Sequence, residues 1–215
     1  LYLFLGRTVS KKKMEKNNGD ELNAFEDLVQ DQIDSFDKHN YGYINDQVIK
    51  HRDLIRMLLM KQDAFLTENN KIDLFTDGHK LYEKVLEDIY NAQHYIHLEY
   101  YTFELDGLGK RILDALETKL KEGLEVKLLY DDVGSKKVRL SKFKHFRALG
   151  GEVEAFFPSK VPLVNFRMNN RNHRKIIIID GQIGYVGGFN VGDDYLGLGK
   201  LGYWRDTHRS EEHTS

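Results

Sequence analysis

The chain has 215 residues, with 32 Lys and Arg against 34 Asp and Glu, and no cysteine. Balanced charge argues against a bulk pull toward nucleic acid, so any anion binding must come from a local patch. The missing cysteines exclude disulfides, thiolate catalysis and Cys-ligated zinc in this chain, and 40% hydrophobic content supports one domain with an appendage.

In chain order, Leu1 to Leu5 form an apolar run, and Lys11-Lys12-Lys13 follow. Five residues cannot span a bilayer, which takes about 20. Apolar residues followed by lysines are, however, what the cytoplasmic end of a membrane helix looks like. Residues 1–6 are therefore read as the remnant of a transmembrane helix, with a frayed stub as the plain alternative. Residues 7–68 read as a cytoplasmic helical linker. Within it Ile49, Leu54, Met57, Leu58 and Phe65 recur at helical spacing, as in a cover helix, and no chemistry is visible.

From Lys71 the pattern becomes strand and helix in alternation. Ile72–Phe75 is a short strand, and Asp77 caps a helix over Lys80–Ala92. Tyr95–Phe103, rich in aromatic and β-branched residues, is the next strand. A helix over Leu108–Lys121 closes at Gly123. Val126–Tyr130 is a strand, Leu140–Leu149 a helix and Val153–Phe157 a strand. The isoleucine run 176–179 reads as a strand buried on both faces. Asp180-Gly181 then turns the chain into an antiparallel partner through Val186. The expectation is an α/β domain over residues 69–208, with a mixed β-sheet flanked by helices. Residues 209–215 are polar and lack strand or helix periodicity. They resemble a translated sequencing adapter, are read as a non-native tail, and are set aside for function.

The chemistry lies in Asn172-His173-Arg174-Lys175 and Gly187-Gly188-Phe189-Asn190. Strand alternation puts His173 and Lys175 on one face and Arg174 and Asp180 on the other. The returning strand brings Gly187, Gly188 and Asn190 beside them, and the glycines leave room for a ligand. Such a set suits a phosphate diester: Lys175 supplies charge, Asn190 supplies amide donors, and the His173 imidazole can attack phosphorus. Between Lys160 and Ile179 lie five cations and no acid, which favours a neutral His173. Taken singly, a histidine at a strand start, a glycine pair and a basic run are ordinary structural features; the joint spacing singles them out.

That spacing matches the HxK-x4-D-x6-G signature of the phospholipase D superfamily. The flanking segments Asn69–Gly78, His97–Tyr101, Asp131–Ser135, Arg171–Lys175, Gly187–Gly192 and Trp204–His208 resemble those of bacterial cardiolipin synthases. Gly188 stands where many superfamily members carry serine. The resemblance implies a phospholipase D-like half-domain with His173, Lys175 and Asp180 as motif residues. Asn190 and Gly188 would then bind the substrate phosphate. Asp180, on the far face, would anchor the strand, while Asp206 and Glu99 would act from behind the site, Asp206 by orienting a histidine across a half-site interface. It further implies joining of two phosphatidylglycerol molecules through a phosphatidyl-histidine, with no cofactor and no metal. The partners implied are the membrane and a second half-domain carrying its own motif, without nucleic acid. The implied location is the bacterial cell membrane, with the catalytic domain cytoplasmic, and an isolated half-site is expected to be inactive.

Two rivals remain at this stage. One is hydrolysis of phospholipid or nucleic acid by the same superfamily chemistry, since the motif does not specify the acceptor. The other is a metal-binding module using His94 and His97, which alternation places on opposite faces.

Overall fold

The computed structural model describes residues 27–35, 50–62, 66–67, 70–158, 171–200 and 202–213. The membrane-helix remnant expected at residues 1–6, and Ile49 and Phe65, lie outside the described residues. Two compact units are distinguished, one within Arg7–Glu68 and the other containing Asn69–Ser215.

In the smaller unit, residues 27–35 are helical and helix α1 spans Arg52–Gln62. Val29 and Leu59 are buried, with Ile33, Ile55 and Leu66 packed against them. The Gln32 carboxamide holds Leu66 from both sides, donating to its carbonyl at 2.8 Å and accepting from its N–H at 2.7 Å. The inward face of α1 is therefore Ile55 and Leu59. Leu54, Met57 and Leu58, which the spacing suggested as the packed stripe, are exposed. A helix advances about 100° per residue, so a one-residue error in choosing the stripe rotates it out of the core.

The larger unit is built on a seven-stranded sheet in the order β1-β7-β6-β5-β2-β3-β4. The strands are β1 Asn70–Phe75, β2 Tyr95–Tyr100, β3 Glu125–Asp131, β4 Glu152–Phe156, β5 Lys175–Ile179, β6 Ile183–Gly187 and β7 His208–His213. The β2–β3 and β3–β4 pairs are parallel and all the others antiparallel, so the sheet is mixed. Helix α2 (Gly78–Asn91) links β1 to β2, and helix α3 (Gly107–Lys121) makes the β2–β3 crossover. Their N-caps are Asp77, accepting from the Lys80 N–H at 3.0 Å, and Asp106, accepting from the Gly109 N–H at 3.2 Å. Beyond α3, Gly123 takes φ +92°, the conformation that stops a helix cheaply only at glycine.

The core lies on one face of this sheet. Ile96, Leu98 and Tyr100 of β2, Val126, Leu128 and Tyr130 of β3, and Ile177 and Ile179 of β5 pack against Leu81, Val85 and Ile89 of α2 and Ile112 and Leu116 of α3. The isoleucine run is thus buried on one face only: Ile178 is 40% exposed.

Three further boundaries differ from the sequence reading. β2 ends at Tyr100, and two residues on the Thr102 N–H is taken by the Asn190 side chain at 3.0 Å. The expected helix over 140–149 is a 3₁₀ turn, Leu140–Phe143, followed by a short helix α4, Lys144–Ala148. Burial of Phe143 and Phe146 fixes that segment more than propensity does. The polar tail read as patternless forms β7, pairing with both β1 and β6. Backbone pairing on two sides needs no apolar alternation in the strand itself. Among the described residues no helix is long and apolar enough to cross a membrane.

Candidate active site at the start of the central strand

β5 enters the sheet between β2 and β6, and the motif residues stand at its start. His173 precedes the first ladder residue by two and is exposed. Its ring lies on Tyr101, with centroids 3.9 Å apart and planes 16° from parallel. Lys175 pairs with Tyr100 across the ladder and is buried at 9% exposure. Its ammonium donates to the His173 carbonyl at 2.7 Å and stands 5.2 Å from the centre of the Tyr101 ring. Burial pulls the Lys175 pKa down, and the Asp206 carboxylate pulls the other way.

The flanks of His173 are held from the opposite direction. The Asn172 side chain donates to Glu99, and the Arg174 guanidinium lies 3.7 Å from the same carboxylate. The Asn172 N–H donates to the fully buried Asp131 at 3.1 Å. Asp131 also accepts from the N–H groups of Val133 at 2.9 Å and Gly134 at 3.0 Å, and Arg171 lies 3.8 Å away. One carboxylate therefore shapes the turn after β3 and fixes the approach to His173. Ser135 completes this link: its hydroxyl accepts from the Phe103 N–H at 2.9 Å and donates to the Tyr101 carbonyl at 3.3 Å. The sequence reading included Tyr101 in the segment His97–Tyr101 but gave it no role at the site, where its ring stacks on the imidazole.

Asp180 lies at the far end of β5. It takes φ +55°, and Gly181 takes φ +69°, as a type I′ hairpin turn requires. Its carboxylate accepts from three successive backbone N–H groups, Gln93, His94 and Tyr95, each at 2.8 Å. Burial alone would raise its pKa, but those bonds outweigh it and hold the carboxyl below the ordinary aspartate value. This carboxylate is bonded to the start of β2, away from His173 and Lys175.

Asn190 and Gly188 also serve the fold. The Asn190 carboxamide oxygen accepts from the Thr102 N–H at 3.0 Å, and its nitrogen donates to the Tyr195 hydroxyl at 2.8 Å. The Asn190 carbonyl accepts from the buried Tyr82 hydroxyl at 2.7 Å. The space over the glycine pair, expected to admit a ligand, is filled by the chain itself. A Cβ on Gly188 would collide with the Asp206 carboxylate, and one on Gly187 with the His208 backbone and ring. A carboxylate thus stands over Gly188, and both side-chain groups of Asn190 are bonded within the fold.

Asp206 and His208 are thereby brought to the Lys175 side of the sheet. His208 is 1% exposed, and neither ring nitrogen has a hydrogen-bond partner among the described residues. Burial pushes its pKa down to about 4, Asp206 resists, and Lys175 adds to the fall. Of the rival metal pair, the His97 ring is bonded to Glu125 at 2.6 Å, while the His94 N–H serves Asp180. Among the described residues no group of three or more His, Asp or Glu is arranged to hold a metal ion.

Residues 85–199 match the family described as "Cardiolipin synthase, PLD-like domain". The chain is 99% identical over 208 residues to cardiolipin synthase 1 of Staphylococcus epidermidis, covering 97% of this chain and 42% of that protein. It is 74% identical over 208 residues to cardiolipin synthase 1 of Staphylococcus aureus strain MRSA252, with the same coverage. Cardiolipin synthase 2 of Staphylococcus epidermidis is 49% identical over 209 residues, 97% of this chain and 43% of that protein. This chain thus spans well under half the length of these relatives. Among solved structures, phosphatidylserine synthase of Haemophilus influenzae superposes with a TM-score of 0.54 at 19% identity, over 66% of this chain and 33% of that one. That likeness supports the shared fold.

Proposed function

The chain belongs to the cardiolipin synthase family with a phospholipase D-like domain, and on that premise we propose that the full-length protein joins two phosphatidylglycerol molecules into cardiolipin, releasing glycerol. The observation that carries the reading is the pairing at the start of β5: an exposed imidazole held flat on Tyr101, and a buried lysine two residues on. An exposed ring can reach phosphorus, and a partly desolvated cation attracts a phosphodiester more strongly than one in open water.

In this mechanism the His173 imidazole, or its counterpart in a second half-domain, attacks the phosphorus of one phosphatidylglycerol. A P–N bond forms as the P–O bond to the departing glycerol breaks. The opposing histidine gives that oxygen its proton. It then takes the proton from a hydroxyl of a second phosphatidylglycerol, whose oxygen attacks phosphorus and breaks the P–N bond. The imidazole is returned unchanged. Lys175 offsets charge on the non-bridging oxygens. Asp180 holds β5 to the start of β2, and Glu99 holds Asn172 and Arg174 on either side of His173. Asp206 orients a histidine across the interface between half-domains. The reaction takes place at the cytoplasmic side of the cell membrane, with no cofactor and no metal, and needs the second half-domain.

Product analysis tests the reading. Full-length protein supplied with headgroup-labelled phosphatidylglycerol in vesicles should release labelled glycerol and form cardiolipin in equal amounts. Phosphatidic acid as the main product would make the protein a hydrolase of the same superfamily.

A further inference from the structure

The transfer reaction makes no use of His208, although its ring is buried beside the motif. β7 places it: His208 pairs with Phe75 on one side and with Gly187 on the other. A Cβ on Gly187 would lie 2.6 Å from the His208 Cγ, so the ring occupies space that only a glycine leaves free. The residue is 1% exposed, and neither ring nitrogen has a hydrogen-bond partner among the described residues. A buried polar group left open in this way costs stability, and its retention calls for a reason. Burial keeps the imidazole neutral; Asp206 opposes that effect and Lys175 reinforces it. A neutral imidazole carries one N–H, which needs an acceptor.

Two charged side chains act on the ring, Asp206 and Lys175. Lys175 can only donate, and its ammonium already donates to the His173 carbonyl. Asp206 is the acceptor of the two. Its carboxylate stands over Gly188 while the His208 ring stands over Gly187, so the two groups cover consecutive residues. The carboxylate accepts from the Thr207 N–H at 2.7 Å and has lone pairs for further donors. We propose that the neutral His208 imidazole donates its N–H to the Asp206 carboxylate, as a positioning residue that fixes the oxygen Asp206 presents to the histidine of the second half-domain. The bond is not made in this half-site. It closes when the second half-domain covers Asp206 and removes the water that competes for its oxygens. This role rests on the mechanism above, in which Asp206 orients a histidine across the interface.

Turnover of the full-length protein at pH 7.5, read as release of labelled headgroup from phosphatidylglycerol vesicles, tests the assignment. Headgroup release is common to transfer and hydrolysis, so failure of the cardiolipin reading leaves this test intact. His208→Gln and His208→Met are similar in size, and only glutamine keeps an N–H donor. The Gln variant should exceed the Met variant about tenfold in kcat with KM unchanged, as for one hydrogen bond lost in the transition state. In an Asp206→Ala background the two should show the same residual turnover, since the donor has lost its acceptor. A side chain that only fills space predicts no such coupling. Equal kcat for the two variants with Asp206 present would overturn the proposal, as would a gap that persists in Asp206→Ala. Thermal melts of the Gln and Met variants should agree. A Met variant that melts well below the Gln variant would trace its lower kcat to packing and would overturn it too.

Discussion

The imidazole of His173 lies face to face on the phenol ring of Tyr101, centroids 3.9 Å apart. The backbone of Tyr101 is held at both of its polar groups: its N–H donates to the Arg174 carbonyl, and its own carbonyl accepts from the Ser135 hydroxyl. The ring is thus a fixed platform that limits the imidazole to one plane. Stacked rings contribute about 0.5–1.5 kcal/mol beyond buried area. Tyr101→Ala in the full-length protein should therefore lower kcat about tenfold with little change in KM, and Tyr101→Phe should retain most activity. Steady-state kinetics on phosphatidylglycerol vesicles checks both. An unimpaired alanine variant would show that the stack does not position the histidine.

Asp180 predicts a stability effect. Its carboxylate satisfies three N–H groups at the start of β2. Asp180→Asn removes the charge and one acceptor oxygen, which should cost about 2–3 kcal/mol, since bonds to ionised groups are worth roughly 1.5–3 kcal/mol each. The native pKa is lowered. The stabilisation is therefore full above the unfolded aspartate pKa of about 3.9 and is lost as pH falls through the lower native value. Thermal melts of wild type and variant at neutral pH measure the cost. A variant with an unchanged melting temperature and no turnover would place Asp180 in the chemistry.

His208 predicts a pH dependence at higher pH. Its native pKa is pushed to about 4, against an ordinary value of 6.5. The unfolded chain binds a proton between these limits while the native ring stays neutral. Stability is therefore fully present above pH 6.5 and falls as pH drops toward 4, by an amount on the order of 3 kcal/mol. Urea denaturation of the chain at pH 7.5, 6 and 4.5 should show this slope. His208→Phe, which keeps the ring and removes the titrating nitrogens, should flatten it. A variant with the wild-type slope would assign the acid lability to other groups.

Much of this was legible in the sequence where the signal was local. The strand–helix alternation, the Asp77 cap and the Asp180-Gly181 turn depend on neighbouring residues, and each stands where the pattern put it. The His173–Lys175 spacing likewise fixed a shared face. What was not legible concerns partners distant in sequence. Alternation showed that Asp180 faces away from His173, but not that it would bond residues 93–95. The glycine pair announced a close approach without saying by what, and it is Asp206 and His208 that stand over the two glycines. Asn190 advertises amide groups equally well to a phosphate and to Thr102 and Tyr195. In β7 the polar composition hid a strand whose pairing is carried by backbone groups.

The central claim is covalent catalysis by an imidazole of the motif. It is tested most directly by mass spectrometry of the full-length protein, quenched soon after mixing with phosphatidylglycerol. Phosphorus bound to histidine is labile in acid, so the quench and digestion must be mildly alkaline. Excess chelator should be present throughout. The account predicts a phosphatidyl adduct on His173 or on the corresponding histidine of the second half-domain, with turnover unaffected by chelator. It also predicts that His173→Ala lowers the rate by several orders of magnitude, since both motif histidines carry a step. Loss of turnover in chelator, recovery on adding a divalent metal and no adduct at either histidine would contradict it. The reaction would then be direct, metal-assisted attack by a lipid hydroxyl.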